Sequence, residues 1–137
     1  MAVIYKAVPK GQPGVAGGGQ IKYYAGIVRQ QPVELRRFAT QIAKMSTLTT
    51  VDVFAVLESF LEQLSEHLED GKIVKLGDLG SFSPSLASKA EDEDFNVDQH
   101  TINRMKINFR PSKELKKRLG NIEYVKLSTD NDSEIVE

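Results

Sequence analysis

Cysteine is absent from the 137 residues, which excludes disulfides and thiolate metal sites while identifying no compartment. Long apolar runs are missing as well: no stretch approaches the roughly 20 residues that span a bilayer. The opening MAVIYKAVPK lacks the basic-then-apolar order of a signal peptide, so a soluble, intracellular protein is expected. Histidine is scarce, and neither His67 nor His100 has a neighbouring set of groups that would make a catalytic site. His67 beside Glu66, Glu69 and Asp70 reads as a helix-surface residue, because ligands on one helix give no complete coordination set. The acidic run Glu91 to Asp94 reads as a solvated loop, with attraction of a divalent cation as the rarer alternative. No enzyme activity, metal, cofactor or small-molecule substrate is expected.

What is present is a chain apolar in 40% of its positions, enough for one core with extensions. The net charge of −1 hides strong polarity along the sequence. Residues 1 to 50 hold 7 cations against 1 anion, residues 51 to 100 hold 3 against 12, and residues 101 to 137 hold 8 against 6. A basic first third has two readings, a solvated face or a phosphate-facing one.

Alternation predicts strands through Val3, Tyr5 and Ala7, and again through Ile21, Tyr23, Ala25 and Ile27. The glycines between them, from Gly11 to Gly19, lack the Lys-Ser/Thr ending of a phosphate-binding loop and read as a flexible hairpin loop. Pro32 suits a first helical turn, and Leu35, Phe38, Ala39 and Ile42 recur at helical spacing, so a first helix is expected over about 32 to 45. Arg36, Arg37 and Lys44 lie off its apolar stripe and should face solvent or a polyanion.

Thr49 with Asp52 resembles a capping box opening a second helix. Val53, Phe54, Leu57, Phe60, Leu61, Leu64 and Leu68 form one broad apolar face, and Gly71 supplies the stop. At about 25 cal/mol per Å² of apolar area, burying that face contributes on the order of 10 kcal/mol before entropy. One short neighbouring helix is too small to cover it, which points to a partner subunit. A strand over Ile73 to Asp78 turns sharply at Gly80. After a polar excursion from Pro84, alternation resumes from Ile102 to Phe109, and Pro111 permits a short basic helix ended by Gly120. The tail STDNDSEIVE is acidic and expected to be disordered.

Four features together resemble the HU/IHF histone-like DNA-binding family: the LTxxD opening of the second helix, the stop at Gly71, the LxxxGxF turn from Leu76 to Phe82, and the F-basic-P-x-K-x-L-K motif from Phe109 to Lys116. The resemblance covers about residues 32 to 120. The leading hairpin is similar to the N-terminal extension of longer HU-like proteins typical of Bacteroidetes. The resemblance implies an α+β dimer, with two helices packed under a β-ribbon saddle, a short basic C-terminal helix and an added N-terminal β-hairpin. The boundaries implied are 1–31 for the hairpin, 32–120 for the DNA-binding domain with an arm at about 84–108, and 121–137 for an acidic tail.

One departure stands out. The arm of such proteins is basic with an Arg-Asn-Pro tip, whereas this one reads ASKAEDEDFNVDQHT and has no proline between Pro84 and Pro111. Kinking by proline intercalation is therefore not supported, and Phe95 reads as a packing residue in preference to a wedge. Candidate phosphate contacts are Lys72, Lys75, Lys89, Arg104, Lys106, Arg110, Lys113, Lys116 and Lys117. Arg110 and Lys113 match the basic positions of the family motif, while Lys116, Lys117 and Arg118 also read as an ordinary solvated helix face. The expected function is nucleoid-associated, architectural binding of double-stranded DNA by a cytoplasmic homodimer with little base readout. The alternative is an HU-fold scaffold with weak or no DNA binding because of its acidic arm, which binds proteins through its hairpin or that arm.

Overall fold

A computed structural model of the chain describes residues 2–128. The element order is β1 (Ala2–Lys10), β2 (Lys22–Ile27), α1 (Leu35–Lys44), α2 (Thr50–Glu69), β3 (Val74–Lys75), β4 (Gly80–Ser88), β5 (Ile102–Pro111), α3 (Lys113–Gly120) and β6 (Glu123–Lys126). The backbone divides into two compact units, Met1–Pro32 with Leu119–Glu137, and Val33–Arg118. Each holds a mixed or antiparallel three-stranded sheet, ordered β2-β1-β6 in the first and β3-β4-β5 in the second.

In the first unit β1 and β2 pair antiparallel from Tyr5↔Ile27 to Lys10↔Lys22. The glycine run closes this hairpin as a loop: the Gln12 amide donates to the Gly18 carbonyl (2.6 Å) and the Gly18 amide donates to the Val15 carbonyl (3.0 Å). Strand β6 pairs parallel with β1 from Ala2↔Glu123 to Tyr5↔Lys126. It falls in the segment read from sequence as tail. Four residues are too few to display an alternating pattern, and its partner lies at the other end of the chain. The remaining tail residues, 129–137, lie outside the described residues.

In the second unit α1 starts later than the sequence pattern placed it. Glu34 is the N-cap residue in extended backbone, and its carbonyl accepts the first helical hydrogen bonds from Arg37 and Phe38. Pro32 therefore precedes the helix instead of occupying its first turn. Helix α2 opens at Thr49, whose hydroxyl accepts from the Asp52 amide (3.2 Å) and donates to the Asp52 carboxylate (2.8 Å). It closes with the paired bonds of a Schellman motif, Gly71 N–H to the Leu68 carbonyl (3.0 Å) and Lys72 N–H to the His67 carbonyl (3.1 Å). Gly71 takes the positive φ of 79° that this ending requires.

Helices α1 and α2 contribute one fully buried apolar residue each, Ala39 and Val53. Arg36, Arg37 and Lys44 are exposed, as their place off the apolar stripe implied, and the Arg36 guanidinium lies 5.0 Å from the centre of the Phe54 ring. Much of the apolar face of α2 is left uncovered within one chain, with Phe60 45% and Leu61 41% exposed.

Candidate nucleic-acid interface

Strands β4 and β5 form a two-stranded ribbon with register Gly80↔Pro111, Phe82↔Phe109, Pro84↔Ile107 and Leu86↔Met105 on one face. Alternation puts Ser81↔Arg110, Ser83↔Asn108, Ser85↔Lys106 and Ala87↔Arg104 on the other. Lys75 pairs with Ser81 and joins that second face. The ribbon thus separates apolar from cationic side chains by register alone. The apolar face is anchored by Phe82 and Phe109, whose ring centres lie 4.9 Å apart.

The cationic face carries Lys75, Arg104, Lys106 and Arg110, and strands β3, β4 and β5 contain no carboxylate. Each cation on β5 stands opposite a serine or alanine, so small neighbours leave it accessible. Asn108 stays on the ribbon, donating from Nδ2 to Ser85 Oγ (2.9 Å).

Two residues fix the end of this face: Gly80, read from the sequence as a sharp turn, and Ser112, which sequence reasoning did not single out. Gly80 has a φ of 145°, and a Cβ there would stand 2.9 Å from the Phe109 ring and 3.0 Å from the Pro111 Cα. Only glycine lets β5 approach so closely. Ser112 caps α3: its Oγ accepts from the Leu115 amide (3.0 Å) while its hydroxyl donates to the Asp78 carbonyl, and its own amide donates to the Leu79 carbonyl (3.1 Å). Pro111 therefore ends β5, and Ser112 opens the helix that the sequence pattern started at Pro111. A serine one residue before a Lys-Glu-Leu run was the available signal for this. These bonds tie the start of α3 to the turn between β3 and β4. As a result Lys75, Arg110 and Lys113 line one shallow concavity of about 380 Å³, floored by Gly77, Gly80, Ser81 and Pro111.

The other candidates lie elsewhere. Lys72 follows α2 and pairs with Asp70 at 3.8 Å, both largely exposed. Lys89 follows β4 at the root of the ribbon tip, where its amide donates to the Thr101 carbonyl (2.8 Å). Lys116 and Lys117 are exposed on α3 and do not line the concavity. The tip itself is folded, with short 3-10 turns at Asp94–Asn96 and Gln99–Thr101. The Asp98 carboxylate accepts from the His100 amide (2.8 Å), and the buried Thr101 donates from its hydroxyl to the Asp98 carbonyl (2.7 Å). Phe95 was expected to pack, yet it is 77% exposed. Among the described residues, no three His, Asp or Glu side chains gather as a metal site, and no helix is long and apolar enough to cross a membrane.

Three helices and two small sheets, one of them a ribbon with segregated faces, define a mixed α+β protein of HU-like architecture. Residues 1–126 match the HU-HIG family, described as an HU domain fused to wHTH, Ig, or glycine-rich motif, and the chain belongs to that family. Among solved structures it is similar to a "Putative bacterial DNA binding protein" from Bacteroides vulgatus ATCC 8482, at 14% identity and a TM-score of 0.63. The match covers 90% of this chain and 48% of that one, so the chain spans about half the length of that neighbour. No curated protein matches by sequence.

Proposed function

We propose that this chain is a nucleoid-associated architectural protein that binds duplex DNA as a homodimer, with little sequence specificity, through the cationic face of the β4–β5 ribbon. The observation that carries this reading is the register that sorts Lys75, Arg104, Lys106 and Arg110 onto one face without a carboxylate, with Lys113 at its end. Such a face matches phosphates and offers no base-reading geometry, so affinity should depend on salt more than on sequence. Membership of an HU-containing family and the name of the structural neighbour support the same direction. The opposite, apolar face of the ribbon, with Ile107 48% exposed, supports a second copy as its cover. In this reading the protein performs no catalysis; it positions DNA.

The test is binding to a short random-sequence duplex across a salt series. Arg110→Ala with Lys113→Ala should weaken binding and lower the log–log salt slope by about 0.9 for each phosphate no longer neutralised, roughly 2 per protomer engaged. An unchanged slope removes both residues from the interface.

A second reading, a scaffold that binds proteins, draws on the tip, where Glu91 to Asp94 adjoin the exposed Phe95 and Val97. Absence of duplex binding even at low salt would favour it over the DNA reading.

A further inference from the structure

The first 33 residues contain no aspartate or glutamate and four Lys or Arg residues. Solvated protein surfaces ordinarily intersperse both signs, so an acid-free stretch of that length calls for a reason. The strand register supplies one. In the β1–β2 hairpin Lys6↔Gly26, Val8↔Tyr24 and Lys10↔Lys22 are paired positions of one face, so Lys6, Lys10 and Lys22 all project on the same side. Lys10 stands directly opposite Lys22, an arrangement of like charges that costs stability in an antiparallel pair. Among the described residues no ion pair relieves it: the one ion pair there is Lys72 with Asp70, in the other unit. The acid that shares this face, Glu123, pairs with Ala2 at its far end. The Lys10 ammonium lies 5.4 Å from the centre of the Tyr24 ring, which orients the charge without neutralising it.

Lysines also guard exposed strand edges against unwanted pairing. Guarding works with charges on either face, however, whereas here the other face of the hairpin carries Tyr5, Ala7, Pro9, Tyr23 and Ala25. All three cations on one side, two of them juxtaposed, fit a polyanion.

We propose that Lys6, Lys10 and Lys22, around Tyr24, form a second phosphate-binding surface for duplex DNA, separate from the ribbon face. This rests on the reading of the chain as a DNA binder and deepens it by assigning a role to the N-terminal hairpin.

The experiment uses the full chain, a short random-sequence duplex and salt between about 50 and 200 mM. Replacing the three lysines together by glutamine should lower the log–log salt slope by roughly 3 per protomer engaged, at about 0.9 per phosphate neutralised. Replacement by arginine should leave the slope in place. Lys126→Gln, on the opposite face of the same sheet through its pairing with Tyr5, controls for loss of a lysine outside the proposed surface and should leave it nearly unchanged. Circular dichroism identical to the parent shows that the glutamine variant is folded. If that variant keeps the full slope while Arg110→Ala with Lys113→Ala loses it, the hairpin surface is overturned and the ribbon reading stands. The reverse pattern upholds the hairpin and removes the ribbon. A parent protein that does not bind duplex overturns both. Glutamine substitution that abolishes binding to phosphatidylserine vesicles but spares the DNA slope assigns the face to an anionic membrane and overturns the proposal.

Discussion

Gly80 and Gly71 both hold positive φ, and the difference between them isolates what close approach is worth. A Cβ at Gly71 would meet nothing within 4 Å, so Gly71→Ala faces only the backbone penalty of a left-handed residue, about 1 kcal/mol. At Gly80 the φ of 145° is essentially restricted to glycine, and the added Cβ would collide with Phe109 and Pro111 as well. Gly80→Ala should therefore cost about 3 kcal/mol or more, read as the shift in urea midpoint at constant slope. Equal costs at the two positions would mean that β5 does not approach Gly80 closely, and that Arg110 is not held by this turn. Ser112 acts at the same scale. It satisfies a free amide at the start of α3 and a carbonyl of the preceding turn together, so a single hydroxyl sets where Lys113 begins its helix.

At the scale of elements, what could be read from the sequence was what local pattern encodes. The alternation of Arg104, Lys106 and Arg110 with Met105, Ile107 and Phe109 displays the two faces of β5 before any pairing is known, and Thr49, Asp52 and Gly71 mark the ends of α2 through their own chemistry. Strand β6 was hidden because its partner, β1, is remote in sequence and only four residues pair. The concavity of Lys75, Arg110 and Lys113 was visible only in part: the motif supplied two of its cations, but joining them to Lys75 requires the pairing of β3 with β4. The tip from Lys89 to Thr101 shows a third kind of gap. Its composition reads as an open acidic excursion, yet Asp98 and Thr101 fold it through side-chain bonds to the backbone. Asp98→Ala should accordingly speed hydrogen exchange at the His100 and Thr101 amides, while the urea midpoint moves by no more than about 1 kcal/mol. Exchange already at the unprotected rate in the parent protein would show that the tip is not folded in solution.

At the scale of the molecule, the apolar inventory of one copy does not balance. The unit Val33–Arg118 buries only Ala39 and Val53 fully, while Phe60, Leu61, Met105, Ile107 and Phe109 each remain more than two fifths exposed. Units of this size are marginal even when they bury most of their apolar surface. On the homodimer reading the second copy completes the core, so stability and assembly are one property and the melting temperature should rise with protein concentration. Ile107→Lys places a charge in the middle of the apolar ribbon face. It should shift the sedimentation mass from dimer toward monomer and lower the melting temperature. Lys106→Ala, one residue away on the cationic face, should leave the mass unchanged and lower only the salt slope for DNA. A parent chain that sediments as a monomer, with a melting temperature independent of concentration, would refute the dimer. It would leave the exposed ribbon face without the cover proposed for it.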